Sequence, residues 1–466
     1  MSSNCCATLL GIASRRGFLG TTALGLSGVA FKSLLASTSA RGPHFSPKAT
    51  RVIWLFMHGG PSHVDMFDPK PALTKYAGQR IPDSVGKFDT RRDVSRNPLL
   101  PSVKPFKARG QSGIEISDFL PNMAELADDM CVIRSCHGDS VNHPQSVYQL
   151  NTGSTLMGKP SMGAWVSYGL GTENEQMPAF VVMPDPGGGL KGGPPAWGSG
   201  FLPASHQGTT MRAGAAPILD LKPALGMSTQ RQRSTLDLIH KLNADHLAAR
   251  GGDTNLEARL KAYELAFHMQ SAAPEVVDIG GESAATLELY GIDQPKTREF
   301  GTRCLLARRM IERGVRFVQI YSGDTNGWDA HEAVKRNHEI YCERTDKPVA
   351  GLIRDLKARG LLEDTLVIWG GEFGRMPMSE KGTGRDHNPW GYTTVLMGAG
   401  VKHGHVHGAT DEFGLRAAVE PVHVSDLHAT ILHLLGVHHE ELTYRFEGLD
   451  QRLTGTAGNV VKSILT

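Results

Sequence analysis

Thr365-Leu-Val-Ile-Trp-Gly-Gly-Glu-Phe-Gly374 is the stretch whose reading decides the fold. Its short, β-branched apolar run is bounded by glycines and reads as a buried strand. The carboxyl end delivers a lone acid, Glu372, into a glycine-rich loop, and Gly384-Arg-Asp-His-Asn-Pro389 follows with His387. Open α/β sheets gather their ligand chemistry outside the carboxyl ends of the strands. A carboxylate and an imidazole delivered there suit an oxygen/nitrogen metal site. A surface loop that merely contains a Glu and a His fits this stretch equally well, so the decision falls to the rest of the chain.

Working outward, Arg51–Met57 is a second continuous apolar run, ending in His58-Gly-Gly-Pro-Ser-His-Val-Asp65. Further strands are expected at Met130–Cys136, Ala179–Met183, Val315–Tyr321 and Thr393–Met397. Helical stretches are expected at Phe119–Asp128, at His143–Thr152 (Pro144 is tolerated in a first turn) and from about Ser228 to Gln270, where Leu236, Ile239, Leu242 and Leu247 recur at helical spacing. Others cover Lys296–Arg313, the run to Arg359, and Ser425–Leu435. This alternation predicts an α/β fold, a doubly wound and mostly parallel sheet flanked by helices. Residues 76–112 read as an irregular excursion. Gly187–Gly200, rich in Gly and Pro, is too long for an ordinary connection and is expected to be functional or mobile. No internal repeat is present.

The first 40 residues read as an address. Ser14-Arg-Arg-Gly-Phe-Leu19 is a twin-arginine pattern ahead of a mildly apolar segment, Gly20–Ala36, with small residues around Ser37–Ala40 for cleavage. The segment is too glycine-rich, and too interrupted by Lys32, for a stable membrane span. The expectation is a Tat signal peptide over 1–40, engagement of the twin-arginine export machinery, and a periplasmic or secreted protein. Residues 41–466 then form a single α/β domain with a helical insertion near 228–313. Losing Arg15, Arg16 and Lys32 moves the net charge from +2 to −1, and nothing in that balance points to nucleic acid. Of the six cysteines, Cys131, Cys136, Cys304 and Cys342 remain. The first two lie on one strand, roughly 16 Å apart along it and beyond disulfide reach. Any pairing with Cys304 or Cys342 stays open.

Acids and histidines fall just past strand ends four times: His58, Ser62, His63 and Asp65; His137, Asp139 and His143; Asp324, Asp329 and His331; Glu372, Asp386 and His387. Polar residues cap strands routinely, but four such groups on one sheet edge favour a metal site, which zinc or a harder divalent ion would accept. Asp329-Ala-His331 puts both side chains on one face of an extended loop. The alternating His403, His405 and His407 suit an exposed edge strand, and His428 and His433 suit packing on an apolar helix. Trp328 and Trp390 line a pocket or pack beside the sheet edge, and His338 is a reserve ligand.

Several of these segments resemble known ones. Thr365–Gly374 is similar to the strand of the sulfatase and alkaline phosphatase superfamily that normally ends in Ser-Asp-His-Gly, with Glu372 at the ligand Asp and Phe373 where a ligand His is usual. Val424–Gly436 resembles a sulfatase Asp-Leu-x-x-Thr-Leu-Leu helix. His143–Gly153 resembles the signature Cys-x-Pro-Ser-Arg-x-x-Leu-x-Thr-Gly, with His143 at the nucleophile position. Taken together, His58-Gly-Gly-Pro-Ser, Gly327-Trp-Asp-Ala-His331, Glu372-Phe-Gly-Arg375 and Arg385-Asp-His387 look most like the exported family known as domain of unknown function 1501, over nearly all of residues 51–437.

The resemblance implies an alkaline phosphatase/sulfatase-like fold and an exported, metal-dependent hydrolase of phosphate or sulfate esters, small-molecule or polysaccharide. It implies divalent metal ions (zinc, calcium, manganese or magnesium) held by Asp329, His331 and His387 on one side and by Glu372 with His58 or Asp65 on the other. His143 enters as ligand or nucleophile, with a metal-activated water as the other nucleophile. Arg375 is either an oxyanion clamp or a surface ion pair. The rival reading is a non-catalytic binding protein of the cell envelope that retains the fold.

Overall fold

The computed structural model describes residues 42–212, 226–250 and 254–466. The twin-arginine segment and its cleavage region lie outside the described residues. Nine strands build the central sheet: β1 (Arg51–Met57), β2 (Met130–His137), β3 (Phe180–Met183), β4 (Thr209–Thr210), β5 (Phe317–Ser322), β6 (Thr365–Gly370), β7 (Tyr392–Gly398), β8 (His405–His407) and β9 (Val422–His423). Their order is β8-β2-β7-β6-β1-β5-β3-β4, with β9 also paired to β2. Every pairing is parallel except those of β7, which runs antiparallel to both β2 and β6.

The apolar runs are unbroken because both faces of this sheet are covered. Alternate residues of β1 divide between two cores: Ile53, Leu55 and Met57 enter one, Val52, Trp54 and Phe56 the other. Among the described residues, the helices of six residues or more are α1 (His143–Thr152), α2 (Met162–Leu170), α3 (Thr229–Arg250), α4 (Thr254–Val277), α5 (Ala284–Leu289), α6 (Arg298–Glu312), α7 (Val334–Ala358) and α8 (Val424–Leu434). α6 and α7 line the first core; α1, α2 and α8 line the second. No described helix is long and apolar enough to cross a membrane.

Two local expectations are corrected. The stretch 119–128 forms 3₁₀ turns over Met123–Asp129, with non-helical backbone at Leu126, rather than a regular helix. The excursion over 76–112 contains a strand, Phe106–Arg109, which pairs with Ile114–Ser117. It also closes over a third apolar cluster, in which Ile81, Val94 and Leu99 meet Met376 and Met378. Cys131, Cys136, Cys304 and Cys342 are buried free thiols. β8 is an edge strand with His407 buried in it, and Trp328 packs in the core rather than lining a pocket.

Two core histidines set an acid limit on stability. His428, 2.8 Å from the Leu150 carbonyl oxygen, is pushed down to about 4 by burial. His338, which accepts from Ser62 N–H at 2.8 Å, is likewise pushed down to about 3. Once unfolded, each binds a proton near pH 6.5. The unfolded state therefore holds more protons below that pH, so stability is fully present above it and falls as pH drops, levelling only near the folded values. The loss by pH 5 is about 2 kcal/mol per histidine. Urea midpoints at pH 7.5 and pH 5 should differ accordingly; equal midpoints would contradict the burial of neutral rings.

Candidate metal centre

Five segments reach the carboxyl edge of the sheet. β1 ends in His58; the loop after β2 leads to His143, the first residue of α1; β5 leads to Asp329 and His331; β6 leads to Glu372. The fifth segment depends on the antiparallel strand. Because β7 starts at the edge where β6 finishes, the chain stays there from 371 to 391. Within that stretch Gly374–Arg375 and His387–Asn388 form a short ribbon with His387 opposite Arg375. Gly59 fixes the approach of the loops. Its φ is +108°, and a Cβ there would lie 2.5 Å from the backbone nitrogens of Trp328 and Asp329.

Four imidazoles share one orientation. Nδ1 lies 3.0 Å from the Asp324 carbonyl oxygen in His58 and 2.6 Å from the Val141 carbonyl oxygen in His387. Nδ1 of His143 is 2.6 Å from Glu372 Oε1, and Nδ1 of His331 is 2.5 Å from Glu380 Oε2. Carbonyls and carboxylates only accept, so each Nδ1 carries the hydrogen and each Nε2 of a neutral ring presents a lone pair. Three of these lone pairs face one carboxylate. His331 and His387 place Nε2 3.0 and 3.2 Å from Asp329 Oδ1, and His143 places Nε2 3.0 Å from Oδ2. The buried Nε2 of His143 makes no hydrogen bond. Lone pairs aimed at a carboxylate repel it unless a cation or an added proton lies between.

The surroundings favour neutral rings at His58 and His387 and charged carboxylates at Asp329 and Glu372. Burial pushes His387 well below its ordinary pKa, and Arg375 and His143 add to that. His58 is also lowered by burial, against the pull of Glu372. Burial would raise Asp329, but the Arg375 guanidinium beside it holds it far below the carboxylate range. Glu372 is also held low: the Nδ1–H of His143 leads the interactions that outweigh its burial. Glu372 also accepts Gly59 N–H at 2.9 Å. Phe373 stacks on His387 with ring centres 4.6 Å apart and lies 4.8 Å from His143, so it walls the imidazoles on one side.

Donor atoms within 4.8 Å of one another form three sets: His58, His143 and Glu372; His143, Asp329 and His387; and His331, Asp386 and His387. An Nδ1–H fixed on an acceptor with Nε2 turned inward is the arrangement of metal-ligating imidazoles. The residues therefore fit a divalent cation. Six sequence candidates, His58, His143, Asp329, His331, Glu372 and His387, are brought together.

Two are not. Asp65 is fully buried in a paired contact with Arg385, with Oδ2 2.7 Å from Nε and Oδ1 3.1 Å from Nη2, and it also accepts from Ser62 and Val103. Its oxygens are spent, so it is a structural ion pair. Arg375 is fully buried too. It donates to the Gly59, Gly60 and Arg385 carbonyls and lies 2.8 Å from Asp329 Oδ1. It braces Asp329 and leaves no fork for an oxyanion. His338 stays on α7, outside the cluster, while His137 and Asp139 turn to His423.

Sequence reading missed Glu380, which holds His331, and Lys191, whose Nζ is 2.7 Å from Asp329 Oδ2. The unusual length of Gly187–Gly200 was the signal available for Lys191. No pattern marks Glu380.

Fold and site together define an α/β protein with a histidine- and carboxylate-lined centre at the carboxyl edge of its sheet. Residues 49–465 match the family described as "Protein of unknown function (DUF1501)", and the chain belongs to that family. No curated protein matches it. Among solved structures, the chain is similar to the PsFucS1 sulfatase from Pseudoalteromonas sp., at 15% identity and TM-score 0.35 over 91% of this chain and 74% of that one. It is also similar to the alkaline phosphatase from the Antarctic bacterium TAB5, at 9% identity and TM-score 0.37 over 84% and 98% of the two chains. The phosphonate monoester hydrolase SpPMH from Silicibacter pomeroyi shows 14% identity and TM-score 0.31 over 68% of each chain. No residue's role is carried over from these three.

Proposed function

We propose that the chain is an exported, metal-dependent hydrolase of phosphate or sulfate esters. The observation that carries the metal is the set of inward Nε2 atoms, three of them on Asp329. His143, His387 and Asp329 would hold one cation, and His58 with Glu372 a neighbouring one. Such cations supply Lewis acidity and an activated water. The chain's own residues orient and neutralise. Glu372 and Glu380 fix His143 and His331 through Nδ1, and Arg375 offsets the charge of Asp329. We read His143 as a ligand rather than the nucleophile, since its lone pair faces Asp329. The ester class rests on the sulfatase-like motifs, and the amino end of α1 beside Lys191 favours an anionic group. Export rests on the twin-arginine segment.

Turnover of aryl phosphates, phosphodiesters and aryl sulfates across zinc, manganese, magnesium and calcium tests this. Saturable, chelator-sensitive hydrolysis should appear, and His387→Ala should lower kcat/KM by at least about a hundredfold. Binding of such esters without turnover on any metal would favour the non-catalytic envelope protein instead.

A further inference from the structure

The glycine-rich segment between β3 and the turn at Pro194–Trp197 lies across the centre. Two atoms of one residue hold it there. Lys191 places Nζ 2.7 Å from Asp329 Oδ2, and its backbone N–H donates to His58 Nε2 at 3.2 Å. With Nδ1 of His58 committed to the Asp324 carbonyl, Nε2 is the only donor atom His58 can offer a metal. One lone pair cannot serve an N–H and a metal at once. Asp329 Oδ2, opposite the bare Nε2 of His143, already holds the Lys191 ammonium.

The segment is fastened at both ends. Asp185 accepts Gly187 N–H at 2.8 Å and Gly323 N–H at 2.9 Å, which ties its first end to the loop after β5. The Tyr148 hydroxyl donates to the Gly192 carbonyl at 2.6 Å at the other end. Gly192 and Gly193 have φ of +111° and +66°, backbone that side-chain-bearing residues rarely adopt. Beneath it the centre is closed. The Asp329 side chain is 7% exposed, and that of His331 is 14% exposed.

We propose that Gly187–Gly193 is a strap fastened by Lys191, and that metal and strap compete for His58 Nε2 and Asp329 Oδ2, so that loading the centre and opening it are one event. This rests on the metal-centre reading above. Opening both frees the donor atoms and uncovers the cations to an ester, so the strap makes entry of substrate conditional on metal. Lys191 acts by holding the strap and neutralising Asp329.

Trypsin reads the strap directly, because the Lys191–Gly192 bond is cleavable only when the segment leaves the surface. Full-length chain, stripped with chelator, is digested with and without zinc or manganese, and cleavage after Lys191 is followed by mass spectrometry against cleavage at other sites. Metal should speed cleavage after Lys191 about tenfold relative to the rest, and Lys191→Gln should bind the same metal about tenfold more tightly by calorimetry, within the usual range of coupling between sites. Metal binding to both chains with equal affinity, and with cleavage after Lys191 unchanged, would overturn the strap while leaving the metal centre standing. Failure of both chains to bind metal overturns the centre and the strap together.

Discussion

Asp329→Ala should empty the centre and strip the fold of much of its stability. Its carboxylate is the point on which three Nε2 atoms, the Arg375 guanidinium and the Lys191 ammonium converge. Removing it deletes a donor shared by the histidines and leaves a fully buried guanidinium without its counter-charge. Breaking a buried pair from one side costs about 3–5 kcal/mol. Loss of second-shell partners alone lowers metal affinity about 10–100-fold. Loss of the central donor should exceed that, so we expect at least a hundredfold, on the order of the upper limit for second-shell changes. Metal content after gel filtration and urea midpoints of the stripped protein read the two losses separately. A variant that kept its metal would show that the carboxylate only neutralises Arg375.

Asp65→Asn should separate the two losses, giving a damaged fold with a working centre. Asp65 and Arg385 are both fully buried and paired through two contacts. Arg385 also donates to the carbonyls of Met376, Pro377, Leu100 and Pro101. The pair therefore clips the excursion over 76–112 to the loop that carries His387. An Asn side chain keeps the shape and loses the charge, leaving Arg385 buried and uncompensated at about 3–5 kcal/mol. We expect a lower urea midpoint and protease sensitivity over 76–112, with metal bound per folded molecule within about threefold of the parent, a change of under 1 kcal/mol. Loss of metal at unchanged stability would return Asp65 to the ligand set.

These two aspartates show how far the sequence carries. Both sit just past a strand end, next to histidines, and by residue type they are the same signal. Strand ends are legible because an apolar run with glycine boundaries has few alternatives, and the runs at 51–57, 130–137 and 365–370 needed only β-branching and length. What a side chain meets is not legible. Asp65 finds Arg385 across 320 positions, and Arg375, read as a clamp or a surface ion pair, is buried and spends its donors on carbonyls that no pattern announces. The direction of β7 also escaped, because an apolar run reads the same in either sense. Yet that direction is what keeps 371–391 at the ligand edge. Histidine orientation was equally hidden, since it depends on carbonyl and carboxylate acceptors such as Val141 and Glu380.

The central claim is that the inward Nε2 atoms are metal donors and not a set of protonated rings. Chain carrying no polyhistidine tag, purified and crystallised with zinc or manganese, can be measured by anomalous scattering on either side of the metal edge. The account predicts an anomalous peak bonded to Nε2 of His143 and His387 and to Asp329, with a second peak at His58 and Glu372. No peak at the cluster in metal-saturated crystals, with Asp329 hydrogen-bonded directly to doubly protonated His143 and His331, would contradict it.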